Sequence, residues 1–196
     1  LMNLKNFQNF FTFSIIGCLT MPGILFGPVM IGILVDHANF SEQYAGWALA
    51  YQSIGSATTL LIISSFIHSL DLKKLAFITL TFAFILEIYC SFKTSPDFSF
   101  LIIRLFIGMF TTIANIAVYT SIASFKNYER GFGLFVLMQY LVSGLGLYFM
   151  ILYSDYLGAQ GLFLLLAFLN FIALSLIRKL PNHQADSNTE SALTSE

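Results

Sequence analysis

Phe98–Ser124, FSFLIIRLFIGMFTTIANIAVYTSIAS, is the stretch whose reading decides the fold. Its 27 residues are almost unbroken apolar sequence, long enough to cross a bilayer as one tilted helix. Within it Arg104, Gly108, Thr111, Asn115 and Tyr119 follow at spacings of 4, 3, 4 and 4, which puts them on one helical face. Such a stripe does not face lipid comfortably. An arginine in hydrocarbon costs about 2.5–3.5 kcal/mol even on lenient insertion scales, so it turns inward to a cavity or a partner. Two readings stay open: a structural arginine tied to a neighbouring helix, or a substrate or proton pathway along Arg104, Thr111 and Asn115.

Composition points the same way. Hydrophobic residues make up 57% of the 196-residue chain and charged residues 10%, where soluble domains carry about 25% charge. Mean hydropathy is +0.80. The chain reads as an integral membrane protein whose first partner is the lipid bilayer, and its net charge of −1 gives no sign of a nucleic-acid partner. Cys18 and Cys90 lie in apolar runs and read as small hydrophobes. His37, His68 and His183 fall at helix ends or in the polar tail, and no glycine loop precedes a lysine in the phosphate-binding manner. No metal, no cofactor and no enzyme chemistry is expected from such a set. The chain begins Leu1-Met2, which reads as a non-standard start or a fragment. Its first apolar run is too long for a signal-peptide core and has no small-residue cleavage site, so it is expected to be retained.

Working outward, six apolar spans appear, at about 11–35, 44–69, 75–92, 98–124, 132–154 and 158–178. Runs this long cross lipid as helices, which predicts an all-α bundle of six transmembrane helices over 11–180. Residues 1–10 precede it, and 181–196 form a polar, disordered tail or the start of a linker. Turn and capping residues mark the joints: 37–41, 69–71, 94–97, 127–130 and 155–158. Joints this short predict that sequential helices are antiparallel neighbours. With six helices, Lys5, Lys73, Lys74, Lys126, Arg130, Arg178 and Lys179 fall on one side and Lys93 alone on the other. The positive-inside rule then puts both termini in the cytoplasm, in a multi-pass protein of the plasma (cytoplasmic, inner) membrane.

Polar residues inside the other spans extend the candidate site. Pro22 and Pro28, with Gly17, Gly23, Gly27 and Gly32, predict a kinked first span. The second span carries Gln52, Ser56 and Thr59 at helical spacing, and the fifth carries Gln139, Ser143 and Gly146, as cavity lining or interhelical glue. The sixth has the single interior polar residue Asn170 and reads as an outer helix facing lipid. Glu87, in the third span, lies at a depth similar to that of Arg104 across the 92–97 joint, about 9 Å below the surface. It is either paired with that arginine or protonated and unpaired.

Several local patterns carry a family resemblance. The first span ends in Pro28-x-x-x-Gly32-x-x-x-Asp36, and the second begins Ser41-Glu42-x-x-Ala45-Gly46. The fourth holds Arg104-x-x-x-Gly108, and Tyr128-Glu129-Arg130-Gly131-Phe132-Gly133 leads into the fifth. Over residues 11–180 the chain resembles the N-terminal half of a major facilitator superfamily transporter. The resemblance implies one half of a major-facilitator-type fold and transport of a small solute by alternating access. It makes Pro28, Gly32, Asp36, Gly108, Glu129 and Arg130 structural motif residues. Arg104, Asn115, Thr111, Gln52, Gln139 and Glu87 are the candidates for the substrate or ion pathway. Two departures stand out. The family's loop between the second and third helices usually reads Gly-x-x-x-Asp-Arg-x-Gly-Arg-Arg, whereas residues 64–74 read SSFIHSLDLKK. The fifth span keeps only Gly144-Leu145-Gly146 of the drug–proton antiporter signature Gly-Pro-x-x-Gly-Gly. The family also builds its substrate site between two six-helix halves. The chain is therefore expected to be truncated, half of a split transporter, or half of a homodimer. The rival expectation is a six-helix scaffold or assembly subunit without transport.

Overall fold

Short polar side chains start three of the long helices. Ser41 Oγ accepts the Tyr44 N–H at 3.2 Å, Asp71 Oδ1 the Lys74 N–H at 3.2 Å, and Asp97 Oδ1 the Phe100 N–H at 3.0 Å. Each satisfies a donor that a helix N-terminus leaves orphaned. The hydroxyls of Ser99 and Ser95, with the Phe100 N–H, hold the Asp97 carboxyl down to about 2. Hydrogen bonds from Lys74 likewise hold Asp71 below the usual carboxylate range.

The computed structural model describes residues 4–67 and 69–181. His68, in the altered loop, and residues 182–196, with His183 and the expected tail, lie outside the described residues. The elements are α1 (Leu4–Thr20), α2 (Pro22–Leu25), α3 (Gly27–Ala38), α4 (Glu42–Ser64), α5 (Leu72–Phe92), α6 (Phe98–Ala123), α7 (Tyr128–Leu152) and α8 (Ser154–Leu176). A 3₁₀ turn over Ile177–Lys179 follows, and there is no strand among the described residues.

The first span is broken rather than kinked. Pro22 is the first residue of α2 and Pro28 the second of α3, so each proline opens a new helix where its missing N–H costs nothing. Asn39 ends α3 in the left-handed conformation, φ 57°, which asparagine tolerates. Gly158, at φ 54°, kinks α8 near its start, so the joint expected at 155–158 lies inside the helix and survives as that kink.

Among the described residues four helices are long and apolar enough to cross a membrane: α5, α6, α7, and α8 with its 3₁₀ turn. Phe7–Thr20 and Gly27–Ala38 are shorter apolar helices. α4 has the length, but Gln52, Ser53, Ser56, Thr58 and Thr59 dilute its apolar character, and it ends at Ser64 rather than Ser69.

α6 is the hub. It packs against α4 and α5, α5 packs against α8, and α1 packs against α7, whereas α4 and α5 scarcely touch. The expectation that sequential helices are neighbours therefore holds for α5–α6 but fails for α4–α5. α4 instead lies on α6, where glycines on both helices let the backbones meet. The outer helix is also not the one expected. α8 buries Leu162, Phe163, Leu166, Ala167, Asn170 and Ala173 among α1, α3 and α5. α7 is the least covered, with 11% of its apolar window buried against 67% in α6. Two apolar clusters hold the bundle together. One joins Phe10, Ile16, Leu80, Ala117, Ile122 and Ile177; the other joins Met30, Leu34, Phe100, Ile107, Leu162 and Phe163.

Candidate functional site

The α4–α6 crossing creates the site. A Cβ on Gly108 would meet the backbone of Gln52, and a Cβ on Gly55 would meet the backbone of Leu105 and Met109. Only glycine lets two helices approach this closely. Ser56 Oγ donates across the crossing to the Gly108 carbonyl at 3.2 Å. That contact sets the Gln52 side chain beside Arg104, one turn from Gly108.

Arg104 sits six residues into α6, about 9 Å along its axis, and Glu87 five residues before the end of α5, about 7.5 Å. Their matched depth makes the pair. Arg104 Nη1 donates to both Glu87 carboxylate oxygens, at 3.0 and 3.1 Å. Nη2 donates to Gln52 Oε1 and, at 3.5 Å, to the Met30 sulfur of α3. The guanidinium lies 5.5 Å from the centroid of the Phe163 ring on α8. Gly23 of α2 leaves room beside the group: a Cβ there would stand 3.3 Å from Arg104 Nη2. Side chains from α3, α4, α5, α6 and α8 thus converge on one ion pair whose members are 0% and 2% exposed. Arg104 Nε has no hydrogen-bond partner among the described residues.

The other candidates lie further along. Thr111 Oγ1 donates back to the Ile107 carbonyl at 2.9 Å, and Asn115 Nδ2 to the Thr111 carbonyl at 3.2 Å. Asn115 Oδ1 is buried without a partner among the described residues, between Gly17 of α1 and Phe135 of α7. It is eleven residues from Arg104, about 16 Å along the helix, so the stripe holds two separate polar centres. Gln139 joins neither. It is half-buried on α7 and donates to the Met21 sulfur at the α1–α2 break, 3.3 Å away.

The motif residues divide. Gly108 is in backbone contact, while a Cβ on Gly32 would meet nothing within 4 Å. Pro28, Asp36, Glu129 and Arg130 are exposed at helix ends. Met30 and Phe163 were not among the residues singled out from sequence; as apolar residues in apolar helices they carry no signal. Gly23 stood among the first span's glycines, with nothing to tie it to Arg104. No three His, Cys, Asp or Glu side chains converge among the described residues.

Residues 10–195 match the family described as the Major Facilitator Superfamily, and the chain belongs to it. No curated protein and no solved structure matches the chain. With its long apolar helices, it is an integral multi-pass membrane protein of a transporter family.

Proposed function

We propose that the chain forms one six-helix half of a secondary transporter that carries a small solute by alternating access. The observation that supports this best is the Arg104–Glu87 pair. Ionisable groups at this depth are expensive and mark substrate or ion paths by default, and here five helices bring side chains to one of them. In this reading Arg104, Glu87 and Gln52 form the outer polar centre, Thr111 and Asn115 continue the path, and Gln139 borders it. The unpartnered Asn115 oxygen is the open hydrogen-bonding position. A six-helix scaffold is the second reading, favoured by the completeness with which Arg104 is enclosed. Asn115→Cys, in a background without Cys18 and Cys90, separates the two. Labelling by a membrane-impermeant thiol reagent supports a water-lined path, and full protection supports a scaffold.

Alternating access needs two repeats moving against each other. Purified residues 1–196 in liposomes are therefore expected to show no saturable uptake unless a second half, or a second copy, completes the site. Saturable, gradient-driven uptake by the monomeric chain would overturn that requirement.

In the same reading the broken first span and α4 each cross once, giving six crossings in the plasma membrane with both termini in the cytoplasm. Basic residues number seven on the side of Lys73 and Lys126 and one on the side of Asp97. A tag inserted at 93–97 is expected to react only from outside. Reaction only from the cytoplasm would reverse the topology.

A further inference from the structure

Four cations meet where α5 begins and α8 ends. Ile177 and Leu180 are 0% and 2% exposed, in the cluster that holds Leu72 and Ala76, and this turns Arg178 and Lys179 between them outward. The Arg178 guanidinium lies 5.7 Å from the centroid of the Phe77 ring on α5. Phe77 is one turn beyond Lys73 and Lys74, so the Arg178 contact brings the 3₁₀ turn after α8 beside the start of α5. Lys74 is bound to Asp71, Nζ to Oδ2 at 3.0 Å. Among the described residues no carboxylate lies within ion-pair reach of Lys73, Arg178 or Lys179. A surplus of three positive charges among the described residues therefore gathers on one corner of a chain whose net charge is −1. Directly beyond them α5 exposes an apolar stripe of Phe77, Ile78, Phe82 and Ile85.

We propose that this corner binds the headgroup of an anionic phospholipid, with its acyl chains along the exposed α5 stripe. Basic clusters between helices at the membrane boundary hold acidic headgroups by charge, over about one Debye length. The adjoining apolar stripe favours a lipid over a free anion: inorganic phosphate could use the cations but would leave Ile78 and Phe82 unused. The guanidinium, already oriented by Phe77, offers two parallel N–H donors to a phosphodiester.

Native mass spectrometry of the full chain, released from detergent after incubation with phosphatidylglycerol, phosphatidylcholine or inorganic phosphate, tests this. Phosphatidylglycerol should be retained, phosphatidylcholine at least about tenfold less, and phosphate not at all. Lys73→Gln/Arg178→Gln/Lys179→Gln should weaken phosphatidylglycerol binding by about tenfold or more, and the exposed Lys179→Glu alone by severalfold. Lys126→Gln/Arg130→Gln, which neutralises the joint before α7, should leave it unchanged. If the triple variant does not fold, the Lys179→Glu comparison decides. Undiminished binding in the folded variants, equal loss in the Lys126/Arg130 control, equal retention of phosphatidylcholine, or phosphate binding as tight as lipid would each overturn the site.

Discussion

Glu87→Gln is expected to cost about 3–5 kcal/mol of stability, because it strands the Arg104 guanidinium in a buried site without a compensating charge. Arg104 is 0% exposed, and among the described residues its Nη1 has no acceptor other than the two Glu87 oxygens. Arg104→Met should cost less. A carboxyl left without its cation can escape by taking up a proton, whereas a guanidinium cannot shed one. Glu87→Gln/Arg104→Met should then recover much of the loss, since neither charge remains to be compensated. Thermal unfolding of the four proteins in one detergent closes the cycle, and additive losses would dismiss the pair. Function should separate from stability at the same residue. In the proposed two-half transporter, Arg104→Ala is expected to abolish uptake. Arg104→Lys should restore only part of it, because one ammonium cannot hold Glu87 and Gln52 from two nitrogens in a plane. Wild-type uptake by Arg104→Ala would leave the arginine a structural role alone.

The pair was legible in sequence because charge is scarce in these spans. Two ionisable residues, placed about equally deep on helices joined by a short turn, leave few other arrangements. The rest of its surroundings was not legible. Met30 and Phe163 touch the guanidinium, yet in an apolar helix a residue that packs on a charge looks the same as one that meets lipid. The misreading of α8 has that cause too. Leu162, Phe163, Leu166 and Ala167 are buried while Leu164, Phe168 and Phe171 are exposed, and Asn170 is the one polar residue that marks the buried face. In a soluble protein the exposed face would be polar; in a bilayer both faces are apolar, and small residues and packing decide instead. The break in the first span was half visible. Pro22 and Pro28 pointed to a distortion, but not that each would begin a separate helix. The polar stripe of α6 likewise read as one continuous feature, although Arg104 and Asn115 belong to different helix interfaces.

Gly108→Ala is expected to open the α4–α6 crossing at a cost of about 1–3 kcal/mol or more, while Gly32→Ala should be neutral or stabilising by up to about 1 kcal/mol. Both glycines lie inside helices, so propensity alone favours alanine at each. Their surroundings reverse the sign at one of them. At Gly108 the new methyl would collide with the Gln52 carbonyl and stand 2.8 Å from its carbon and 3.1 Å from its Cα. All of these are backbone atoms, which no rotamer change can move. At Gly55, on the facing helix, a methyl would stand 3.0 Å from the Leu105 carbonyl carbon and 3.2 Å from the Met109 nitrogen, again backbone. Relief requires the helices to separate. Separation breaks the Ser56–Gly108 hydrogen bond and draws Gln52 away from Arg104 Nη2. The damage should therefore reach the ion pair, and Gly55→Ala/Gly108→Ala should cost less than the sum of its parts, since the first methyl already opens the crossing for the second. At Gly32 the methyl would enter open space, and only the entropy of the unfolded chain changes. Thermal midpoints of the four variants in detergent test the contrast. A Gly108→Ala protein as stable as Gly32→Ala would mean that the two backbones do not meet there, and would remove the contact that sets Gln52 beside Arg104.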